Sequence, residues 1–274
     1  MKALAASSVG QYEKSVTALA DYYKTVELGL GVCFRQMPRE PDVPERKAQQ
    51  VDGSLEAIVF GSDQGLVGQF NEVIADFAIT TMAALPGKPT VWAVGERVYS
   101  RLADAPLSVA GQLKVPNSVK GIGPLIGKIL TGRDARRDKD VRSRVYVFHN
   151  RPLSGAQFEP VGKRLLPLDA PWQKGLIDSV WPTKSPPEIL SGSATLRALI
   201  GEYLFISLFQ ACAESLASEN ASRLSAMERA DKNIVDLLDD LGGQFHRLRQ
   251  SDIDEELFDV VSGFEASEPA TKGS

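Results

Sequence analysis

The chain has little of what chemistry at a metal or a nucleophile requires. Its 274 residues include two cysteines and two histidines. Cys33 and Cys212 fall in helical patterns, without metal-ligand spacing, which fits a reducing compartment. His149 and His246 each lack a cysteine, a histidine or a paired carboxylate at ligand spacing, so both read as structural or solvated side chains. A net charge of −4 offers no electrostatic reason to bind nucleic acid. No apolar run reaches the roughly 18 residues of a membrane span, and the start lacks a charged-then-apolar leader, so membrane association is expected to come through partners. No internal repeat is present.

Proline is missing from residues 188–263, and what fills that stretch organises the chain. Leu224, Met227, Asp231, Ile234, Leu238, Leu241, Phe245 and Leu248 follow the alternating three-four spacing of a coiled-coil seam, with charges of both signs between them. As one helix the stretch would be about 110 Å long, more than a single compact domain can sheath, so a rod needing a partner is expected rather than a helical hairpin of a globular core. Gly242 and Gly243 cost about 2 kcal/mol of helix propensity together. Burial of Leu238, Leu241, Phe245 and Leu248 would offset that at about 1.5 to 3 kcal/mol each, so the helix is expected to hold there if packed.

Residues 1–36 carry a matching seam in Tyr12, Val16, Leu19, Tyr23, Val26, Leu30 and Cys33. The two ends of the chain are expected to pair antiparallel, with residues 186–264 as the longer partner and 265–274 as a tail. Residues 38–52 are proline-rich and charged, a solvated linker. Residues 53–185 then alternate strands (LEAIVFG, KPTVWAVG, PLSVAGQLKV, RVYVFHN) with helices at about 69–84, 96–104 and 118–140, and QFEPVGKRLLPLD closes the region as a strand pair or edge. That alternation predicts an α/β domain with an open, largely parallel sheet. The charge run at 133–144 reads as a solvated face.

SDQGLVG stands where phosphate loops stand, after a strand and before a helix. The lysine of a P-loop is missing, as are the three spaced glycines of a dinucleotide site, so a turn capped by Ser62 or Asp63 is the expected reading. No Ser-His-Asp, Cys-His or paired-carboxylate constellation can be assembled, and Asp239, Asp240, Glu255 and Glu256 read as solvated. No catalytic residue, cofactor or metal is expected. The residues by themselves leave open a scaffold or tether, and an α/β enzyme with a helical dimerisation arm.

Five stretches together carry a resemblance: MKALAASSVGQYE, SDQGLVGQFN, QFEPVGKRLLPL, ESLASENASRLSAMERADKNIVDLLDDL and RQSDIDEELFDVVSG. In this order they are similar to the gamma subunit of rotary, F-type ATP synthases, and MKALAAS and DYYKTVELGL look closest to the N-type branch. The resemblance implies two terminal helices in an antiparallel coiled coil and a Rossmann-like α/β domain without a nucleotide site. It implies a rotor inside a ring of alpha and beta subunits, bound to an epsilon subunit and a membrane c-ring, on the cytoplasmic face of a bacterial inner membrane. Ion flow, of protons or sodium, would be coupled to ATP synthesis or hydrolysis at the beta subunits. Met1, Arg223, Arg249 and Gln250 match family positions that touch or tune the beta subunits. Family members begin about twenty residues before the point matching Met1, so an upstream in-frame start, completing the cover of Leu224 to Leu248, is expected.

Overall fold

The computed structural model describes residues 2–36, 54–136, 143–183, 185, 187, 188 and 192–267. Two compact units are present, Met1–Ala226 and Met227–Ser274.

Among the described residues the first unit holds eleven elements, the last of them only in part. In chain order they are α1 (Lys2–Gln36), β1 (Leu55–Phe60), α2 (Phe70–Ala83), β2 (Pro89–Val94), α3 (Glu96–Ala103), β3 (Ser108–Leu113), α4 (Val119–Arg136), β4 (Arg144–Pro152), β5 (Phe158–Leu166), α5 (Ala170–Asp178) and α6 (Gly192–Ser267). The strands form one sheet in the order β3-β2-β1-β4-β5. β1 runs parallel to β2 and β4, β2 parallel to β3, and β5 closes the edge antiparallel to β4. A hairpin suffices for that last pairing, whereas the parallel pairs need crossover helices.

Helices cover both faces, so β1 is buried along its whole length and reads as a continuous apolar run. Successive side chains on a strand point to opposite faces. Ala57 and Val59 accordingly join Ile74 and Met82 of α2 and Val98 and Leu102 of α3. Ile58 and Phe60 join Ile122, Ile126 and Ile129 of α4, Leu30 of α1, and Ile206 and Leu208 of α6. By length and composition α6 passes for a membrane span, contrary to what the lack of an apolar run suggests. Its apolar residues Tyr203, Leu204, Ile206, Leu208, Ala211 and Cys212 are instead buried in this core.

The seams of α1 and α6 meet antiparallel. Leu199 packs on Gly29, Tyr203 lies 6.2 Å from Tyr23, and Tyr22 donates a 2.8 Å hydrogen bond to Glu202. Farther along, Cys212 and Glu219 come close to Tyr12, so contacts climb α6 as they descend α1. α5, which the sequence reading missed, locks α1 in place. Arg35 of α1 donates to the carbonyls of Ile177 (2.7 Å) and Ser179, groups that the end of a helix leaves unpaired. Gly31 lies so close to α5 that a Cβ there would stand 2.6 Å from the Leu176 carbonyl oxygen.

The 133–144 run departs from the solvated face expected of it. Arg133 is 4% exposed, and its guanidinium donates to Glu56 of β1 at 2.7 Å and to Ser143 at 2.8 Å. Arg144 is buried and donates to the Pro86 carbonyl. A buried carboxylate in a central strand needs such a partner. Residues 137–142 of the run and the 38–52 linker lie outside the described residues.

In the second unit the remainder of α6 exposes its seam. Ile234, Leu238, Leu241, Phe245 and Leu248 are each more than half exposed. The helix continues through Gly242 and Gly243, and no described residue comes within 4 Å of where a Cβ at either would stand.

Candidate functional site

Three polar constellations stand out among the described residues of the first unit, two of them on α6. The first rivets α6 to the C-terminal half of β4. Glu214 Oε2 stands 2.8 Å from His149 Nε2, and Gln210 donates to Glu214 Oε1 at 2.7 Å. One turn along, Ser218 donates to the Asn150 carbonyl at 2.9 Å, and Asn150 in turn donates to the Phe70 carbonyl at 2.9 Å. Burial works to raise the Glu214 carboxyl, but the hydrogen bonds from His149 and Gln210 outweigh it and hold the group below the ordinary carboxylate range. His149 is thus a structural partner, as its isolation in sequence suggests.

The second is the SDQGLVG turn. Ser62 and Asn71 bond reciprocally, the Ser62 amide to Asn71 Oδ1 at 2.9 Å and the Asn71 amide nitrogen to Ser62 Oγ at 2.8 Å. Asp63 does not cap the helix that follows it, as the sequence suggested. Its carboxylate accepts from the Glu96 amide at the start of α3 (3.1 Å) and from the Val115 amide (3.0 Å), tying the ends of β1, β2 and β3 together. The entry to α2 has no side-chain cap. Gly95 makes the junction possible: its φ is +116°, and a Cβ there would lie 2.7 Å from the Ser62 carbonyl oxygen. Beyond the turn a groove of about 360 Å³ opens between Gly65, Leu66, Arg97 and Arg101.

The third surrounds Arg223, and the structure does not leave this residue a solvated charge. Its Nη2 donates to Glu219 Oε1 at 2.6 Å, with the two side chains 15% and 7% exposed. Of the other positions matched by resemblance, Arg249 and Gln250 are exposed in the second unit, and Met1 lies outside the described residues. His149–Glu214 and Glu219 belong to no sequence motif and were not legible as a site. The signal in the sequence was a set of polar side chains (Glu214, Ser215, Ser218, Glu219, Ser222) interleaved with Ala211, Cys212, Leu216 and Ala217 along a turn-by-turn buried stretch of α6.

Comparison with known proteins agrees along the length of the chain. A family model described as ATP synthase matches residues 1–266. The ATP synthase gamma chain of Pelotomaculum thermopropionicum is 26% identical over 272 residues, 98% of this chain and 92% of that protein. The ATP synthase gamma chain of Hyphomonas neptunium is 30% identical over 219 residues, 76% of this chain and 73% of its own. Among solved structures, a chain of the central stalk and c-ring of Tetrahymena thermophila mitochondrial ATP synthase has the same fold, with a TM-score of 0.58 and 20% identity over 84% of this chain and 97% of that one. Sharing that fold, and matched by the family model over 1–266, the chain belongs to the ATP synthase family, alongside its gamma chains.

Proposed function

We propose that this chain is the central-stalk rotor, the gamma subunit, of a rotary ATP synthase. It has no catalytic role of its own and belongs to a membrane-associated complex. The observation that carries the reading is the family match over 1–266 on a chain whose long helix α6 leaves Ile234, Leu238, Leu241, Phe245 and Leu248 exposed. An apolar stripe of that length is a surface for partners. The partners are the alpha and beta subunits of the catalytic ring, an epsilon subunit and the c-ring. A shaft without threefold symmetry, set within three equivalent sites, contacts each differently, and differential contact energy is what biases one site open and another closed. The complex lies on the cytoplasmic face of a bacterial inner membrane and carries protons or sodium. Met1, Arg223, Arg249 and Gln250 are the contacts through which the shaft acts on the beta subunits.

Co-expression tests the reading against a scaffold. The chain is expected to co-purify with alpha, beta and epsilon subunits and to raise ATP hydrolysis only in their presence. Purification without them, or ATP hydrolysis by the chain alone, would overturn it.

A further inference from the structure

Glu219 is 6% exposed, yet it faces a cavity of about 170 Å³ lined also by Tyr12 of α1, Asp63 and Gln64 of the turn after β1, and Arg223. One carboxylate oxygen accepts from Arg223, and the other, Oε2, has no hydrogen-bond partner among the described residues. Burial raises the Glu219 carboxyl more than Arg223 lowers it, with Asp63 adding to the rise. Asp63 is held by two backbone amides, so this wall of the cavity is rigid. An exposed ion pair one helical turn apart contributes little and exchanges freely with water. This one is enclosed by the facing helix and the α/β domain, and the arrangement costs the fold a carboxylate with one oxygen unanswered.

We propose that Glu219 is the positioning residue of Arg223, presetting the direction in which the guanidinium meets the beta subunits. The inference rests on the reading of Arg223 as a coupling contact. A rotor makes and breaks its contacts on every turn, and a long, flexible side chain loses rotamer freedom each time it engages. A guanidinium already held in one direction loses less, so each engagement is stronger and better aimed.

The test uses the assembled, membrane-reconstituted complex and reads ions pumped per ATP hydrolysed for Glu219→Gln, Arg223→Ala and the double variant. Glu219→Gln is expected to lower that ratio about fivefold, the difference between a charge-assisted hydrogen bond and the weaker one a glutamine oxygen still accepts, and to lower it no further once Arg223 is alanine. The same added loss in the Arg223→Ala background, or wild-type coupling in Glu219→Gln beside a defective Arg223→Ala, overturns the positioning role alone. Wild-type coupling in Arg223→Ala overturns the contact reading itself. If Glu219→Gln does not assemble, Glu219→Asp keeps the charge on a shorter arm: coupling lost only while Arg223 is present supports the proposal, and wild-type coupling overturns it.

Discussion

Glu214 of the long helix and His149 of strand β4, 65 residues apart in sequence, stand 2.8 Å from each other with side chains 12% and 8% exposed. Two side-chain bonds one turn apart, this one and Ser218 to Asn150, fasten the shaft to the sheet. Together with the apolar packing of Ile206 and Leu208 they hold the shaft against the α/β domain.

Replacing Glu214 with alanine is expected to destabilise the chain by about 3 kcal/mol, because it strands the buried His149 ring and Gln210. The sign with pH follows from the lowered carboxyl. The native pKa lies below the unfolded value, so the stability from Glu214 is present in full above the unfolded carboxylate range and is lost as pH falls through the native value. Urea unfolding of wild type and Glu214→Ala at pH 7 and under acid conditions should show the difference shrinking on acidification. A difference independent of pH would count against the assignment.

Gly31→Ala is expected to cost about 1 to 3 kcal/mol, since its methyl would lie 2.6 Å from a backbone oxygen of α5 that has no rotamer to escape into. Gly175, in α5 itself, has no described residue within 4 Å of where a Cβ would stand, and Gly175→Ala should stabilise by about 0.5 to 1 kcal/mol. Thermal unfolding of the two variants should move in opposite directions.

In the second unit, Gly242→Ala and Gly243→Ala face open space in a helix interior. Each is expected to strengthen the helix by about 1 kcal/mol. Amide exchange around Phe245 should slow accordingly, and unchanged exchange would show that something other than propensity limits the helix there.

The double variant Arg249→Ala, Gln250→Ala removes two exposed side chains and is expected to leave folding within about 0.5 kcal/mol of wild type. In the assembled complex it should reduce ATP-driven ion pumping while ATP hydrolysis continues. Pumping at the wild-type level would remove both residues from the set of coupling contacts.

Much of the architecture was legible in local pattern. The seam of α1, spaced at threes and fours, is buried or half-buried at each position from Tyr12 to Cys33. The apolar run LEAIVF, legible as a strand, is one, and it is buried along its whole length. α5 escaped notice because a nine-residue helix with proline in its first turn and a glycine inside carries too short a period to stand out. The long exposed stripe from Ile234 to Leu248 was legible as unpartnered because the facing seam is shorter.

Sequence alone determined which faces of the helices and strands are apolar, where the chain turns, and that its motifs lack the side chains of a phosphate loop. Those properties repeat at the period of one element and need no knowledge of any other. Only the tertiary structure decided which polar residues are committed inside: Arg133 to Glu56 across 77 residues, His149 to Glu214 across 65, and Asp63 to the start of α3 rather than α2. A charge in a helical pattern looks the same whether it faces water or a partner brought from another part of the chain. The free energy that separates the two cases, desolvation against a hydrogen bond made at about 2.8 Å, exists only once the elements have packed.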